Sequence, residues 1–322
     1  MDSIDNPISN INTHESHFFH LYKNESKIGS FKERMKKDIN DIRLKQRKNY
    51  FDLNRALETS DEDEKVNNNC FYRKVFSKNK WANLMMLAEW FMLVPDSFYE
   101  NYLMKFCPFG RHTIIVSQNN TTKILNKNGF LIESFQSSLP GGGIVNKDGG
   151  NVAHKCAIFD CIYNKDNGKI YLLDIIYFLR QDFRIMTAED RFNWLDNYLT
   201  TQMHSGIQTS GHYSFEILPA INCQHDTLKS TFVRKPIFPL DGLLFYLRDG
   251  TYVSGSTYLT MWLKPYMVPE LFSLEVDPDY MSNIPMDYAN YREEIIQYNA
   301  KFGYHESREK LVVDTDLKMD LV

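Results

Sequence analysis

Trp262 and Lys264 stand two residues apart in the segment PLDGLLFYLRDGTYVSGSTYLTMWLKPYM, residues 239–267. In a strand, residues i and i+2 share a face, so the indole and the ammonium are expected to point the same way. A flat ring beside a cation gives a nucleobase a surface to stack on and the following phosphate a charge to pair with. The same spacing equally describes a buried tryptophan with a lysine running past it to water. Spacing alone leaves both readings open.

Other groups offer less. The five cysteines, Cys70, Cys107, Cys156, Cys161 and Cys223, are an odd, scattered set without a CxxC pair, which predicts reduced thiols and neither a disulfide frame nor a zinc site. His14, His17 and His20 have no Cys or carboxylate frame around them, so no metal site is expected. A formal charge of −4 argues against a protein that coats nucleic acid indiscriminately and for a local pocket. Apolar content of 43% with 14% aromatics supports a real core. The start MDSIDNPISN has no signal-peptide pattern, and the apolar run 172–179 is too short to span a bilayer, so a soluble intracellular protein is expected.

The elements that must position Trp262 and Lys264 are a strand opening at Asp241-Gly242, a break at Arg248-Asp249-Gly250, and a second strand over 258–263. Further strand-like runs fall at 113–117, 129–135, 156–163, 170–177, 213–217 and 243–247. Helical pattern is read at 82–94, ending before Pro95, and again at 188–200 and 287–302. Strands outnumber helices without regular alternation, which predicts an α+β fold with mainly antiparallel sheets. Ahead of this domain, placed at 71–303, a tail over 1–28 leads into a helix over 29–59. That helix opens with the capping box Ser30…Glu33 and is followed by the charged linker 60–70. Residues 304–322 read as a loose tail.

The helix is basic. Nine Lys and Arg against five Asp and Glu give residues 31–59 a net charge of +4 in a chain of −4. A basic amphipathic helix on a flexible linker suits an acidic concave partner; a solvated surface helix or a packed arm is the alternative.

Several motifs in one order carry a resemblance: LAEW at 87–90, FCPFGR at 106–111, SSLPGG at 137–142, DGLLFY at 241–246 and WLKPYM at 262–267. Together they resemble the snurportins, adaptors that carry spliceosomal small nuclear ribonucleoproteins into the nucleus by the trimethylguanosine cap of their RNA. The resemblance implies a nucleotidyltransferase-like fold and a cap site. Trp262 would stack on the cap and Trp90 would lie against the methylated base. Gly110, Arg111 and His112 match the family's cap-contact tripeptide, Lys127 its turn lysine, and Ala88, Cys107 and Lys264 the neighbouring positions. Trp81 and Trp194 match no cap contact and read as core. Ala88 stands where the family has Ser, and His112 where it has Arg, which predicts a weaker and more pH-dependent site.

The enzymes of that fold use a lysine in a KxDG turn as nucleophile. Here the turn reads Cys107-Pro108-Phe109-Gly110, so a non-catalytic relative without cofactor is expected; Lys147-Asp148-Gly149 is a decoy, and Asp160 and Asp174 read as structural. The resemblance further implies an importin-β contact through Arg43, Lys45, Arg47, Lys48 and Arg55, an exportin contact through Met1, Ile4, Ile8 and Ile11, and shuttling between cytoplasm and nucleus. Two competing readings stay open: a guanylyltransferase-like enzyme, and a cap-binding module without a transport role.

Overall fold

The computed structural model describes residues 81–144, 156–198, 200 and 206–301, together with Lys36, Asn40 and Leu44, which are helical. The importin and exportin positions expected from the sequence, Arg43, Lys45, Arg47, Lys48, Arg55, Met1, Ile4, Ile8 and Ile11, lie outside the described residues. So do His14, His17, His20, Cys70, the linker, the Lys147-Asp148-Gly149 loop and the tail 304–322.

The described part is α+β with mostly antiparallel pairing. Sheet A has five strands in the order β1-β12-β11-β2-β10: β1 (Met86–Trp90), β12 (Gly255–Leu263), β11 (Leu240–Leu247), β2 (Tyr102–Pro108) and β10 (Ile221–Asn222). Sheet B runs β5-β4-β3-β6-β7-β8, with β9 (Ser214–Ile217) also pairing β7. Its strands are β3 (Arg111–Gln118), β4 (Thr121–Leu125), β5 (Leu131–Phe135), β6 (Ala157–Asn164), β7 (Lys169–Phe178) and β8 (Gln181–Asp182). The helices are α1 (Phe98–Asn101), α2 (Ala188–Asn197), α3 (His225–Phe232), α4 (Val268–Phe272) and α5 (Tyr291–Lys301). None of them is long and apolar enough to cross a membrane.

One core lies between the sheets. Leu103, Cys107, Leu244 and Tyr246 of sheet A meet Ile114, Val116, Ile158, Ile162 and Leu173 of sheet B. These positions alternate along their strands, as one buried sheet face requires. The opposite face of sheet A is closed by an aromatic cluster: Phe91 lies 4.9 Å from Phe245 and 5.2 Å from Phe98, and Phe98 stacks on Phe272 of α4. The far face of sheet B packs Ile115, Phe159, Leu172 and Phe183 against Leu195 of α2.

The helix expected over 82–94 is not formed; its centre is strand β1. The run LMMLAEW is made of good helix formers and lacks a clean period-two pattern. What overrides local preference is a parallel partner 172 positions away, Trp262 facing Trp90, which supplies ladder bonds a helix would have to forgo. Paired with β12 at the margin of sheet A, β1 is buried at Met86 and half-buried from Leu87 to Trp90.

Candidate functional site

Register across four strands of sheet A draws a single row of side chains. Trp90 opposes Trp262, Trp262 opposes Leu244, and Leu244 opposes Lys105. Directly opposed residues share a face, here the face toward sheet B. Trp90 and Trp262 are half-buried, Leu244 is 7% exposed and Lys105 1%. The row therefore runs from a rim that a ligand can reach into the dry space between the sheets.

Trp262 leans across β11 rather than standing upright. A Cβ at Gly242 would fall 2.1 Å from its Cζ2 and 2.2 Å from its Cη2, so the benzo half of the indole fills the hollow that the missing side chain leaves. Lys264 follows the strand end. Its Nζ donates to Asp241 Oδ1 at 2.7 Å and to the Asp241 carbonyl at 3.1 Å, and stands 5.6 Å from the Trp262 ring centre. Indole and ammonium are together, with Asp241 anchoring the charge. Trp90 meets Tyr298 of α5 nearly at right angles, ring centres 5.1 Å apart. Ala88 lies on the same strand, packed with Trp262 at the margin of the inter-sheet core, and the β1–β12 register shifts just after it.

Cys107 opposes Gly242 and is 2% exposed. Burial, reinforced by the Asp241 charge and only partly opposed by Lys264, pushes its thiol far above the ordinary cysteine range. It is held as a thiol and not as the thiolate that does nucleophilic chemistry. Gly110 closes the turn into β3 with its Cα against Ile162 and Tyr163, where a Cβ would stand 2.6 Å from Ile162 Cγ2. Arg111 is exposed at the head of β3. Because Ile114 pairs with Leu125, the turn carrying Lys127 stands at the same end of sheet B, and the Lys127 carbonyl accepts from Asn83 N at 2.8 Å.

His112 faces inward. Its Nε2 lies 2.5 Å from Asp160 Oδ1, while Asp160 Oδ2 accepts from the Tyr252 hydroxyl at 2.6 Å, and that hydroxyl accepts from Met86 N at 2.9 Å. The chain of bonds ties β3 and β6 of sheet B to the first residue of β1. Burial works against an imidazolium here, but the Asp160 charge and hydrogen bond outweigh it and raise the His112 pKa. Asp160 thus compensates the charge that the sequence assigned to a phosphate contact. Asp174 makes a bidentate pair with Arg191, both bonds at 2.8 Å, in the dry interior.

Sequence reasoning passed over Lys105. Its Nζ donates to the Leu173 carbonyl at 2.6 Å and sits 3.6 Å over the Phe192 ring. Burial lowers its pKa to about 8, with Asp174 opposing the shift. The signal was present: a lone cation inside the apolar run YLMKFC. Trp81 is buried in the inter-sheet core, and Trp194 stacks on Tyr198 at 5.0 Å against the other core. Trp81 thus shares the cluster against which Trp262 packs, while Trp194 belongs to the other one. The Trp90–Trp262 face offers two half-buried indoles and an ammonium anchored beside one of them, a set suited to holding a flat cation and a phosphate.

Residues 84–265 match the family model described as Snurportin1, m3G cap-binding domain. Among solved structures, the chain is similar to the ligase domain of M. tuberculosis LigD at 13% identity, covering 58% of this chain and 60% of that chain with a TM-score of 0.37. Mycobacterial DNA ligase D complexed with ATP and MES gives 13% identity, 58% and 61% coverage and a TM-score of 0.37. A Lig E DNA ligase gives 10% identity, 56% and 67% coverage and 0.35. The match spans about three fifths of the LigD chains.

Proposed function

Because the chain belongs to the snurportin m3G cap-binding domain family, matched over residues 84–265, we propose that it grips the trimethylguanosine cap of spliceosomal small nuclear RNAs and links the capped particle to the nuclear import machinery. The observation that carries the reading is the opposed pair of half-buried indoles, Trp90 and Trp262, on one face of sheet A. A trimethylated guanine is a flat cation whose exocyclic amine has lost the donors that carboxylates read. Stacking and cation–π attraction remain, worth about 1–3 kcal/mol per stacked base and about 2 kcal/mol for a desolvated cation. In this reading Trp262 is the stacking plate, Trp90 bounds the methylated edge, and Lys264, Arg111 and Lys127 serve the phosphates.

The site binds and does not react. A guanylyltransferase needs a nucleophile in the turn that holds Cys107, and this thiol is buried and protonated. Incubation with labelled GTP and magnesium tests that arm: an adduct surviving denaturation would establish the enzymatic alternative.

Transport is the second half of the reading. The +4 segment 31–59 would engage importin-β through Arg43, Lys45, Arg47, Lys48 and Arg55, and the apolar ladder Met1, Ile4, Ile8 and Ile11 would engage an exportin that returns the empty adaptor to the cytoplasm. Removing residues 1–65 abolishes nuclear accumulation of capped cargo if this holds; unchanged accumulation reduces the protein to a cap binder. Fluorescence titration with trimethylated and monomethylated cap analogues tests the pocket itself. Trp262→Ala and Trp90→Ala are each expected to weaken the trimethylated analogue about 5- to 150-fold. Binding by both variants at wild-type strength would remove the basis of the proposal.

A further inference from the structure

Each of the two indoles has its own backstop. For Trp262 it is the hollow at Gly242. For Trp90 it lies outside the matched region, on α5. Among the described residues β1 is an edge strand with β12 as its one strand neighbour, so no described strand flanks Trp90 on its outer side. α5 takes that place. Tyr291 Oη reaches the Met92 carbonyl at 3.4 Å, Tyr291 N donates to Glu270 Oε2 at 3.0 Å, and Ile295 is fully buried. Tyr298 follows Tyr291 by seven and Ile295 by three, so all three share one helix face. Its ring sets the Trp90 contact at 5.1 Å and 72°.

We propose that Tyr298 is a specificity-determining residue of the cap site, fixing the plane of Trp90 so that the methylated edge of the base meets a rigid aromatic wall. The inference rests on the cap-binding reading and extends it 33 residues beyond the matched segment. A perpendicular aromatic pair is favoured over a free ring because the positive edge of one meets the negative face of the other. Without Tyr298, Trp90 gains rotamers, and the wall that distinguishes two added methyls from two N–H groups softens. Trp262 stacks on any guanine, so it supplies affinity for both analogues and little discrimination.

The test uses the full-length chain and both analogues. Tyr298→Ala is expected to weaken the trimethylated analogue about fivefold and the monomethylated one less, narrowing the selectivity ratio. Tyr298→Phe keeps the ring and retains the ratio. Tyr298→Leu keeps apolar bulk without a flat edge and narrows the ratio as Ala does, which guards against an Ala variant that simply unfolds. Wild-type selectivity in a folded Tyr298→Ala or Tyr298→Leu overturns the inference while the cap reading stands. A wild-type protein that binds neither analogue overturns both.

Discussion

The benzo half of the Trp262 indole occupies the volume in which any side chain at Gly242 would begin, with Cζ2 2.1 Å from the place of a Cβ. Glycine at 242 is thus required by a close approach between two strands and not by backbone conformation. Its absent side chain decides where the indole lies.

Gly242→Ala follows directly. The added methyl must push the indole off β11, and overpacking of this kind costs about 1–3 kcal/mol. The expected result is a lower melting temperature together with at least a tenfold loss of affinity for the trimethylated cap analogue. Calorimetry and fluorescence titration measure the two effects separately. Unchanged affinity would show that Trp262 need not lean across β11 to bind.

Tyr252→Phe removes one hydroxyl and breaks two bonds, to Met86 N and to Asp160 Oδ2. Leaving buried partners unpaired costs about 1–3 kcal/mol each before relaxation. Urea denaturation should show a loss in that range, although no carbon–carbon packing is removed. A variant as stable as wild type would mean that water enters and replaces the hydroxyl.

His112 gives a pH dependence with a definite sign. Its folded pKa is raised, burial opposing and Asp160 winning. The pair therefore contributes stability in full below the unfolded pKa of about 6.5, and the contribution fades as pH rises through the folded value. Melting temperatures of wild type and His112→Gln should converge as pH is raised from 5.5 through neutrality. A gap that widens with pH refutes the pairing.

Lys105 runs the other way. Its folded pKa is lowered to about 8 by burial, so the unfolded chain binds more protons between about 8 and the ordinary lysine value near 10.4. In that window wild type should gain stability relative to Lys105→Met as pH rises. Matched denaturation curves at pH 7.5 and 9.5 decide it: a constant difference means the ammonium is not desolvated.

Much of this was legible in the chain itself. The DG start, the RDG break and the alternation before Trp262 located β11 and β12. Lys264 does stand near the indole, but just past the end of β12 and held there by Asp241 rather than by strand alternation. β1 was misread because Leu, Met, Ala and Glu carry helix preference, while its strand character comes from a partner distant in sequence. β2 was missed because Lys105 interrupts the apolar run YLMKFC, and a lysine on a buried face obeys no pattern rule until its carbonyl and aromatic partners are known. The Gly242 hollow and the Tyr298 wall depend on which way a ring leans, which register alone does not fix.

The parallel pairing of β1 with β12 has a consequence for synthesis. The two indoles belong to stretches of chain separated by most of the domain, and β12 also joins β1 to β11. A nascent chain that ends before β12 has Trp90 but not the strand that faces it. The paired face therefore exists only once β12 has been made and has closed on β1.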